Sequence, residues 1–278
     1  MKKINRRSFL AAAGLTAAAL ALTACGGSAS STASSTASSA ASSEAASTSA
    51  AAELTTVEAG KLTMATNAAF PPYEMTTDAG EFEGIDIDTA KAIAEKLGLE
   101  LQIDDMDFDA ALLSVQQGKA DIVMAGVTVT DDRKAVMDFS DSYATGIQSI
   151  IVPEGSDITS PDDLAGKKIG TQRGTTGYIY CSDDFGDDAV VAYDDGLTAV
   201  QALNNGQVDA VVIDNAPAKE FVAANPGLVI LDTSYAEEDY AIGLAKGSAL
   251  EDAVNAALEE LKADGTLQSI VDKYITAE

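Results

Sequence analysis

Strand-like and helix-like segments alternate along most of this chain, and that alternation limits the possible folds more than any other feature of the sequence. The first run, 61–127, has the order strand, helix, strand, helix, strand. The second run, 168–231, contains four strand-like and three helix-like segments, and a further strand and two amphipathic helices follow it. Strands that alternate with helices are typical of parallel sheets, so we predict an α/β fold.

The boundaries of these elements follow from the spacing of apolar residues and from glycines. Ile87, Ala90, Ile93 and Leu97 lie on one face of a helix, and Gly98 is a suitable C-cap. The predicted helices are 85–97, 108–117, 175–183, 197–205, 216–224, 250–261 and 267–275, and the predicted strands are 61–67, 99–103, 121–127, 168–172, 190–193, 209–213, 228–231 and 240–245.

The two runs share one kind of boundary. Residues 116–123 (QQGKADIV) and 204–211 (NNGQVDAV) each place a helix end, a glycine, a two-residue link, an aspartate and a buried strand in the same order. This repetition favours two similar lobes, although any helix-to-strand connection can have this form.

Composition excludes several classes of function. The chain carries 17 basic and 44 acidic residues, a formal charge of −27. Residues 1–24 contain four of the basic residues and no acid, so their removal leaves 13 basic against 44 acidic residues, a charge of −31. A chain this acidic repels nucleic acid, which we exclude as a partner. The sequence has no histidine, which excludes histidine-based catalysis and histidine metal ligands, and we expect no cofactor or metal.

The first 24 residues have the features of a secretion signal. Basic residues near the start precede an apolar run, 9–22, that is shorter than the roughly 20 residues a membrane span needs. The sequence LTAC at 22–25 resembles the lipobox of bacterial lipoproteins, and by that resemblance Cys25 becomes the lipidated first residue of the mature protein. The pair of arginines also resembles a twin-arginine signal, which leaves two export routes open.

Residues 25–56 are mostly Gly, Ser, Ala and Thr without an apolar period, which is typical of a flexible linker. About 30 such residues have an r.m.s. reach on the order of 30 Å. We therefore expect a folded domain that Cys25 tethers to the outer face of the cell membrane. Cys181 is the one cysteine left after lipidation, so we expect no intramolecular disulfide and a partly buried, apolar role for Cys181.

Residues 125–143 (AGVTVTDDRKAVMDFSDSY) form the candidate binding segment, because they combine a strand end, hydroxyl groups and an arginine. A guanidinium is always charged and can bind a carboxylate through two hydrogen bonds. We predict that Arg133 binds a small carboxylate and that N–H groups and hydroxyls at Gly126 and Thr128 add donors. The alternative is that Arg133 is a solvated residue beside the aspartates that precede it.

Several short blocks, taken in order, resemble bacterial solute-binding protein family 3. These are the polar-amino-acid binding proteins of ABC transporters, of the glutamine- and lysine/arginine/ornithine-binding type. The resemblance extends over 54–275. The blocks are ATNAAFPPYE (65–74), GIDID (84–88), DFD (107–109), AGVTVTDDR (125–133), DFS (138–140), QRGTT (172–176) and DAVVID (209–214).

The resemblance implies a two-lobed periplasmic-binding-protein fold of type II, in which each lobe is a mostly parallel sheet flanked by helices. Lobe I would contain 57–143 and 241–278, and lobe II would contain 148–235. The segments 144–147 and 236–240 would form a two-strand hinge. The ligand would lie between the lobes at the carboxyl ends of the strands, and closure would be a hinge motion, for which periplasmic binding proteins are the usual example.

The resemblance further implies that a free amino acid binds between the lobes. Its α-carboxylate would pair with Arg133 and its α-ammonium with Asp214, because both ligand charges lose water in a closed cleft. Asp214 could instead cap the helix that follows it. Phe70 and Phe108 would enclose the side chain of the ligand. The implied ligand-binding residues are Asn67, Phe70, Phe108, Gly126, Thr128, Arg133, Gln172, Thr175, Thr176 and Asp214.

The class of amino acid depends on position 67. Where binders of basic amino acids in this family carry an acid, this chain has Asn67, which cannot neutralise a lysine or arginine ligand. We therefore predict a neutral polar ligand similar to glutamine. Glu74, Asp107 and Asp109 are near in sequence and leave a cationic ligand open. Arg173 would favour an acidic ligand if it faced the cleft rather than solvent.

These features predict a lipid-anchored, monomeric binding protein that delivers an amino acid to an ABC permease and its ATPase. Two alternatives are a ligand-binding partner of a sensor and an extracellular enzyme similar to the cyclohexadienyl dehydratases that share this fold. Such an enzyme needs a placed acid or base with a shifted pKa. No carboxylate in the sequence is distinguished in that way, so we predict that the chain is not an enzyme.

Overall fold

The computed structural model describes residues 54–275, and this part of the chain folds into two main β-sheets with helices packed on them. The predicted signal peptide (1–24), Cys25 and the predicted linker up to residue 53 lie outside the described residues. Across the described range, none of the helices has the length and apolar character that a membrane span requires.

The described residues form eight α-helices, fourteen strands and two short 3₁₀ helices. The α-helices are α1 (Ile85–Leu97), α2 (Phe108–Gln116), α3 (Asp131–Val136), α4 (Thr176–Phe185), α5 (Gly196–Asn204), α6 (Asn215–Ala224), α7 (Glu251–Ala263) and α8 (Thr266–Tyr274). The strands are β1 (Lys61–Thr66), β2 (Ala69–Phe70), β3 (Glu74–Thr76), β4 (Phe82–Glu83), β5 (Glu100–Asp105), β6 (Ile122–Val123), β7 (Met137–Phe139), β8 (Ala144–Pro153), β9 (Ile169–Gln172), β10 (Val190–Tyr193), β11 (Ala210–Asp214), β12 (Leu228–Ile230), β13 (Ala236–Tyr240) and β14 (Gly243–Ala245). The 3₁₀ helices are Pro161–Leu164 and Asp187–Ala189.

The first main sheet has the strand order β5-β1-β6-β14-β7. β5, β1 and β6 are parallel, and β14 runs antiparallel to both β6 and β7. Helices α1 and α2 pack on this sheet, and α7 and α8, near the end of the chain, pack against α1. We call this sheet, together with α1, α2, α3, α7 and α8, lobe I.

The second main sheet has the order β10-β9-β11-β8-β12, and β13 also pairs with β8. β10, β9 and β11 are parallel, whereas β8 is antiparallel to β11, β12 and β13. Helices α4, α5 and α6 pack on this sheet, and together they form lobe II.

Both sheets are mixed, so the predicted α/β fold is confirmed while the expectation of mostly parallel sheets is wrong. The antiparallel strands β7, β8, β13 and β14 lie where the chain crosses between the lobes through short connections. A parallel neighbour would need a crossover of about a dozen or more residues, which these connections do not provide.

Two paired strands connect the lobes. β8 is antiparallel to β13, with Gly146 opposite Glu238. The segments predicted as the hinge, 144–147 and 236–240, are parts of these two strands. Tyr240, the last residue of β13, is completely buried, whereas alternate residues of the two strands, such as Thr145 and Asp239, are exposed.

Most predicted elements lie within two residues of those observed, but two strands differ. The strand predicted at 240–245 is two strands in different sheets, because β13 ends at Tyr240 and β14 begins after a two-residue crossing. The strand predicted at 121–127 is shortened to β6, because the chain turns away at Gly126, where φ is 56°. The small sheet β2-β3-β4 was not predicted, because strands of two or three residues are too short for a recognisable alternation.

Apolar residues of both lobes form the core. In lobe I, Leu258 and Leu261 of α7 pack among the residues that also cover α1, including Ile93. In lobe II, Cys181 is buried with apolar residues of the sheet such as Val212, so it is more deeply buried than expected. One cluster of buried apolar residues includes members of both lobes, such as Ile93 of α1 and Val200 of α5.

Candidate functional site

A cavity lies between the two main sheets, and all ten residues selected from the sequence line it. Two further residues, Glu74 and Ala125, also line it. The complete lining is Asn67, Phe70, Glu74, Phe108, Ala125, Gly126, Thr128, Arg133, Gln172, Thr175, Thr176 and Asp214.

Most of these residues lie at the carboxyl ends of parallel strands or in the first turn of the helices that follow. Asn67 comes directly after β1, Gln172 and Asp214 end β9 and β11, and Thr175 caps α4. The carboxyl ends of parallel strands lie at one edge of a sheet, so the two sheets present these residues to a shared cleft. Lobe I supplies the residues up to Arg133, and lobe II supplies the others.

Arg133 is held from both lobes. The hydroxyl oxygen of Thr130 caps α3 by accepting a hydrogen bond from the Arg133 N–H at 3.2 Å. The guanidinium donates to the Thr128 carbonyl at 2.8 Å and to the Gly174 carbonyl of lobe II at 3.1 Å, and it lies 5.3 Å from the centroid of the Phe108 ring. Burial lowers the pKa of Arg133. With 8% of its surface exposed, Arg133 is not the solvated residue of the alternative interpretation.

Asp214 is an equally buried anion, with 7% of its surface exposed. Its carboxylate accepts hydrogen bonds from Nε2 of Gln148 at 2.7 Å and from the hydroxyl of Tyr240. It makes no side-chain hydrogen bond that would cap α6, so the capping alternative is wrong. Burial raises the pKa of Asp214 to about 7, the hydrogen bonds from Tyr240 and Gln148 oppose this rise, and the charge of Glu238 adds to it.

Neither of these buried charges has a counter-ion. Among the ion pairs formed by residues 54–275, none includes Arg133 or Asp214. Burying an unpaired charge is costly, and each charge lies on the same cavity. A bound molecule with one negative and one positive group would neutralise both.

Glu238 belongs to this network although the sequence reasoning did not select it. Its Oε2 accepts hydrogen bonds from the hydroxyls of Thr128 at 3.1 Å and Thr176 at 2.9 Å, and from Nε2 of Gln148 at 3.1 Å. One carboxylate on the connecting strand β13 therefore contacts both lobes. The only signal in the sequence is the alternation along β13, which places Glu238 on the same inward face as Tyr240.

This contact changes the role of two threonine hydroxyls. We expected Thr128 to donate its hydroxyl hydrogen to a ligand carboxylate, but that hydrogen is donated to Glu238. A hydroxyl has one hydrogen and two lone pairs, so the hydroxyl oxygens of Thr128 and Thr176 can only accept from a ligand. The N–H of Thr176 lies in the first turn of α4, where it has no partner within the helix and favours an anion.

Asn67 and Gln172 meet across the cleft. Nε2 of Gln172 donates to Oδ1 of Asn67 at 2.9 Å, and Nδ2 of Asn67 donates to the Met106 carbonyl at 2.9 Å. Each polar atom of the Asn67 amide therefore has one partner within the protein, and the oxygen keeps a second lone pair. The pair joins the two lobes without a net charge.

Gly126 has a steric role in addition to lining the cavity. Its φ of 56° is in the left-handed region, and a Cβ atom there would lie 2.8 Å from the Phe70 ring. Its N–H donates to Oδ2 of Asp86 at 3.0 Å, so it is not the ligand donor that we predicted. Phe70 and Phe108, both buried, form apolar walls of the cavity.

Arg173 lies outside the cavity. Its side chain is 56% exposed and forms an ion pair with Asp194 at 3.3 Å. Arg173 therefore does not face the cleft, and it gives no support for an acidic ligand. Within the part of the chain that the structure describes, no group of three or more acidic or cysteine side chains is arranged to hold a metal ion.

Comparison with known proteins places the chain in a family. The family model for bacterial extracellular solute-binding proteins, family 3, matches residues 62–277. The chain is 33% identical over 283 residues to the probable histidine-binding protein of Neisseria gonorrhoeae, across 99% of this chain and 98% of that protein. It is 34% identical over 202 residues to the glutamine-binding protein GlnH of Bacillus subtilis, across 71% of this chain and 74% of that protein.

Solved structures give the same result. The arginine-, lysine-, histidine-binding protein ArtJ of Geobacillus stearothermophilus matches with a TM-score of 0.75 and 34% identity, over 78% of this chain and 96% of that chain. An ancestral arginine-binding protein bound to glutamine matches with a TM-score of 0.75 and 42% identity, over 78% of this chain and 99% of that chain. The resemblance drawn from the sequence blocks is thus confirmed, and the chain belongs to the bacterial extracellular solute-binding proteins of family 3.

Proposed function

We propose that the protein captures one free amino acid with a neutral polar side chain, such as glutamine, between its lobes. The observation that carries this proposal is the pair of buried charges without counter-ions, Arg133 and Asp214, on one cavity. A free amino acid has a carboxylate and an ammonium on the same carbon, so it neutralises both. The carboxylate binds Arg133 and the N–H of Thr176, and the ammonium binds Asp214 and the hydroxyl oxygen of Thr128.

The uncharged Asn67–Gln172 pair supports a neutral side chain. A lysine or arginine ligand would place its cation against two amides that cannot neutralise it. Glu74 also lines the cavity, but burial and the charge of Asp86 raise its pKa well above its usual range, which disfavours the charged form that a cation needs. Relatives carry names for histidine, cystine, arginine and glutamine binding, and an ancestral arginine-binding protein has been solved with glutamine and with arginine. The choice of a neutral ligand therefore rests on the cavity of this chain rather than on its relatives.

A thermal unfolding screen tests the capture of an amino acid. A ligand that binds only the folded state raises the free energy of unfolding by RT ln(1 + [L]/Kd), about 4 kcal/mol at a thousandfold excess over Kd. We expect a large shift with glutamine or with a few neutral polar amino acids, and its loss in Arg133→Met and Asp214→Asn. Arg173→Met, a change outside the cavity, is the matched control and should keep the shift. No shift with any standard amino acid, ornithine, citrulline or cystine would refute the proposal.

We also propose that lipidated Cys25 anchors the protein to the outer face of the cell membrane, where a monomer delivers its amino acid to an ABC permease and its ATPase. The lipobox-like sequence LTAC supports the anchor, and the family supports the permease. Members of this family bind solutes, so the chain is a binding protein and not an enzyme. Cys25→Ser should release the protein from the membrane fraction of cells, and full retention of that variant would contradict the anchor.

A further inference from the structure

Glu74 is a buried acid on the cavity wall that the site described above does not use. It lies in β3 opposite Phe70 of β2, and its side chain is completely buried. No N–H or O–H of residues 54–275 donates to either of its carboxyl oxygens. Of the side chains that line the cavity in the described range, only that of Glu74 has buried polar atoms without a hydrogen-bond partner. Such atoms cost free energy, so a ligand that supplies a donor there gains affinity.

Asp86 fixes the state of Glu74. It is the second residue of α1, it is also completely buried, and its Oδ2 accepts the Gly126 N–H at 3.0 Å. Burial, the charge of Asp86 and a hydrogen bond between the two carboxyls raise the pKa of Glu74 well above its usual range, and burial raises the pKa of Asp86 to about 6. Two adjacent buried carboxyls form that hydrogen bond by sharing a proton. Glu74 then donates to Asp86 with one oxygen and keeps the other as an uncharged acceptor.

We propose that Glu74 accepts a hydrogen bond from an N–H group at the tip of the ligand's side chain and so determines specificity. This inference rests on the proposed function and narrows the ligand to amino acids whose side chains end in an N–H donor, of which the primary amide of glutamine is the first choice. Asn67 gains less from such a bond, because its Oδ1 already accepts a hydrogen bond from Gln172, whereas neither carboxyl oxygen of Glu74 accepts one from any described residue. Asp214 cannot serve it either, because it binds the α-ammonium in the proposed complex.

A purely structural role for Glu74 has a different consequence. The Glu74–Asp86 pair also joins the small sheet β2-β3-β4 to α1, so its loss could weaken the binding of every ligand equally. Recognition of an N–H group instead sets the ratio of affinities between two ligands that differ only in that group. This ratio is therefore the quantity to measure.

The experiment compares L-glutamine with L-glutamate γ-methyl ester, which has a similar shape and no N–H at its tip. Titration calorimetry on the purified full chain gives the Kd of both ligands for the wild type, Glu74→Met and Glu74→Gln. We expect the wild type to prefer glutamine roughly tenfold or more and Glu74→Met to bind both about equally. Glu74→Gln keeps an acceptor oxygen and a donor for Asp86, so it should retain most of the preference. The matched control is Glu83→Gln on the neighbouring strand β4, which should keep the wild-type ratio.

Three results would overturn the inference: a wild-type ratio near one, an unchanged ratio in Glu74→Met, or loss of the preference in Glu74→Gln. A preferred ligand without a side-chain N–H would also overturn it. If Glu74→Met does not fold, the affinity ratios of the wild type and Glu74→Gln still test the inference. If no free amino acid binds, the proposed function fails and this inference fails with it. If amino acids bind through Arg133 and Asp214 while the ratio is near one, only the role of Glu74 fails.

Discussion

At the scale of single residues, Asp214 links ligand binding to pH. Its pKa is raised to about 7 in the unliganded protein, so part of the population is protonated at neutral pH. A ligand ammonium favours the ionised carboxylate, so binding lowers this pKa and releases a proton. Affinity should therefore fall as the pH drops below 7, by up to about tenfold per pH unit. Calorimetry in buffers of different ionisation enthalpy measures the released proton.

The same group affects the stability of the unliganded protein. Because the pKa of Asp214 is higher in the folded state than its ordinary value of 3.8, the folded state binds more protons than the unfolded state between those values. Stability from this group is therefore present below about pH 4 and is lost as the pH rises to about 7. Buried Glu74 and Asp86 act in the same direction. Asp214→Asn should reduce this loss of stability between about pH 4 and pH 7. For ligand binding, uptake of a proton instead of its release would contradict the role of Asp214.

Glu238 gives a second prediction at this scale. Its Oε2 is the acceptor for two hydroxyls and one amide that are otherwise buried, so Glu238→Ala leaves three donors without this partner. We expect a loss of about 1–3 kcal/mol in the free energy of unfolding, measured by denaturant titration of the unliganded protein. The matched control is Glu237→Ala, which changes the preceding, exposed residue of the same strand. Equal effects of the two substitutions would show that the Glu238 carboxylate does not stabilise the fold through these three hydrogen bonds.

At the scale of elements, the loop between β9 and α4 meets the first turn of α2 across the cleft. Gly174 in this loop has a φ of 72°, and a Cβ atom there would overlap the carboxylate of Asp109 in α2. The same glycine presents its carbonyl to Arg133 of lobe I. The close approach of the two lobes at this point therefore requires the absence of a side chain.

Gly174→Ala should hinder closure of the lobes. We expect ligand affinity to fall roughly tenfold or more, because the overlap of the new Cβ atom with Asp109 opposes the approach of the two lobes. Small-angle scattering should show a ligand-saturated variant that stays more extended than the wild type. Gly206→Ala is the matched control, since Gly206 has a φ of 68° and open space around it. Wild-type affinity and compaction in Gly174→Ala would contradict the role of this contact.

The sequence predicts an element well when its apolar residues repeat at a regular period, and poorly when its position depends on distant contacts. α1 was predicted with its observed bounds because its apolar residues repeat at the helical period and Gly98 ends it in the left-handed conformation. The strand predicted at 240–245 joins the last residue of β13 to β14, because the run YAIGLA does not reveal that the chain changes sheets within it. The small sheet β2-β3-β4 depends on long-range packing rather than on its own period.

The candidate site was predicted unevenly for a related reason. The ten selected residues lie in short blocks at element ends, where the resemblance to the family is carried. Glu238 could not be selected, because a glutamate is normally solvated and only distant contacts bury this one. Glu74 was considered only as a possible partner of a cationic ligand, because the sequence does not show that its side chain is buried on the cavity. Glu238, for example, meets Thr128 from 110 residues away.

At the scale of the whole molecule, the site is complete only when both lobes contribute. Arg133 and Thr128 come from lobe I, Asp214 and Thr176 from lobe II, and Glu238 from the strand that connects them. Neither lobe alone places a cation and an anion around one ligand. We therefore expect binding to be coupled to closure of the lobes, and a ligand that engages only one lobe to bind weakly.

The most direct test is a calorimetric comparison of L-glutamine, its N-acetyl derivative and its α-amide on the wild-type protein. The two derivatives remove the ammonium and the carboxylate charge respectively and leave the side chain intact. Loss of one member of a buried charge pair costs about 3–5 kcal/mol, so each derivative should bind roughly 100-fold or more weakly than glutamine. Should either derivative bind as tightly as the free amino acid, Arg133 and Asp214 would not hold the ligand by its two charges.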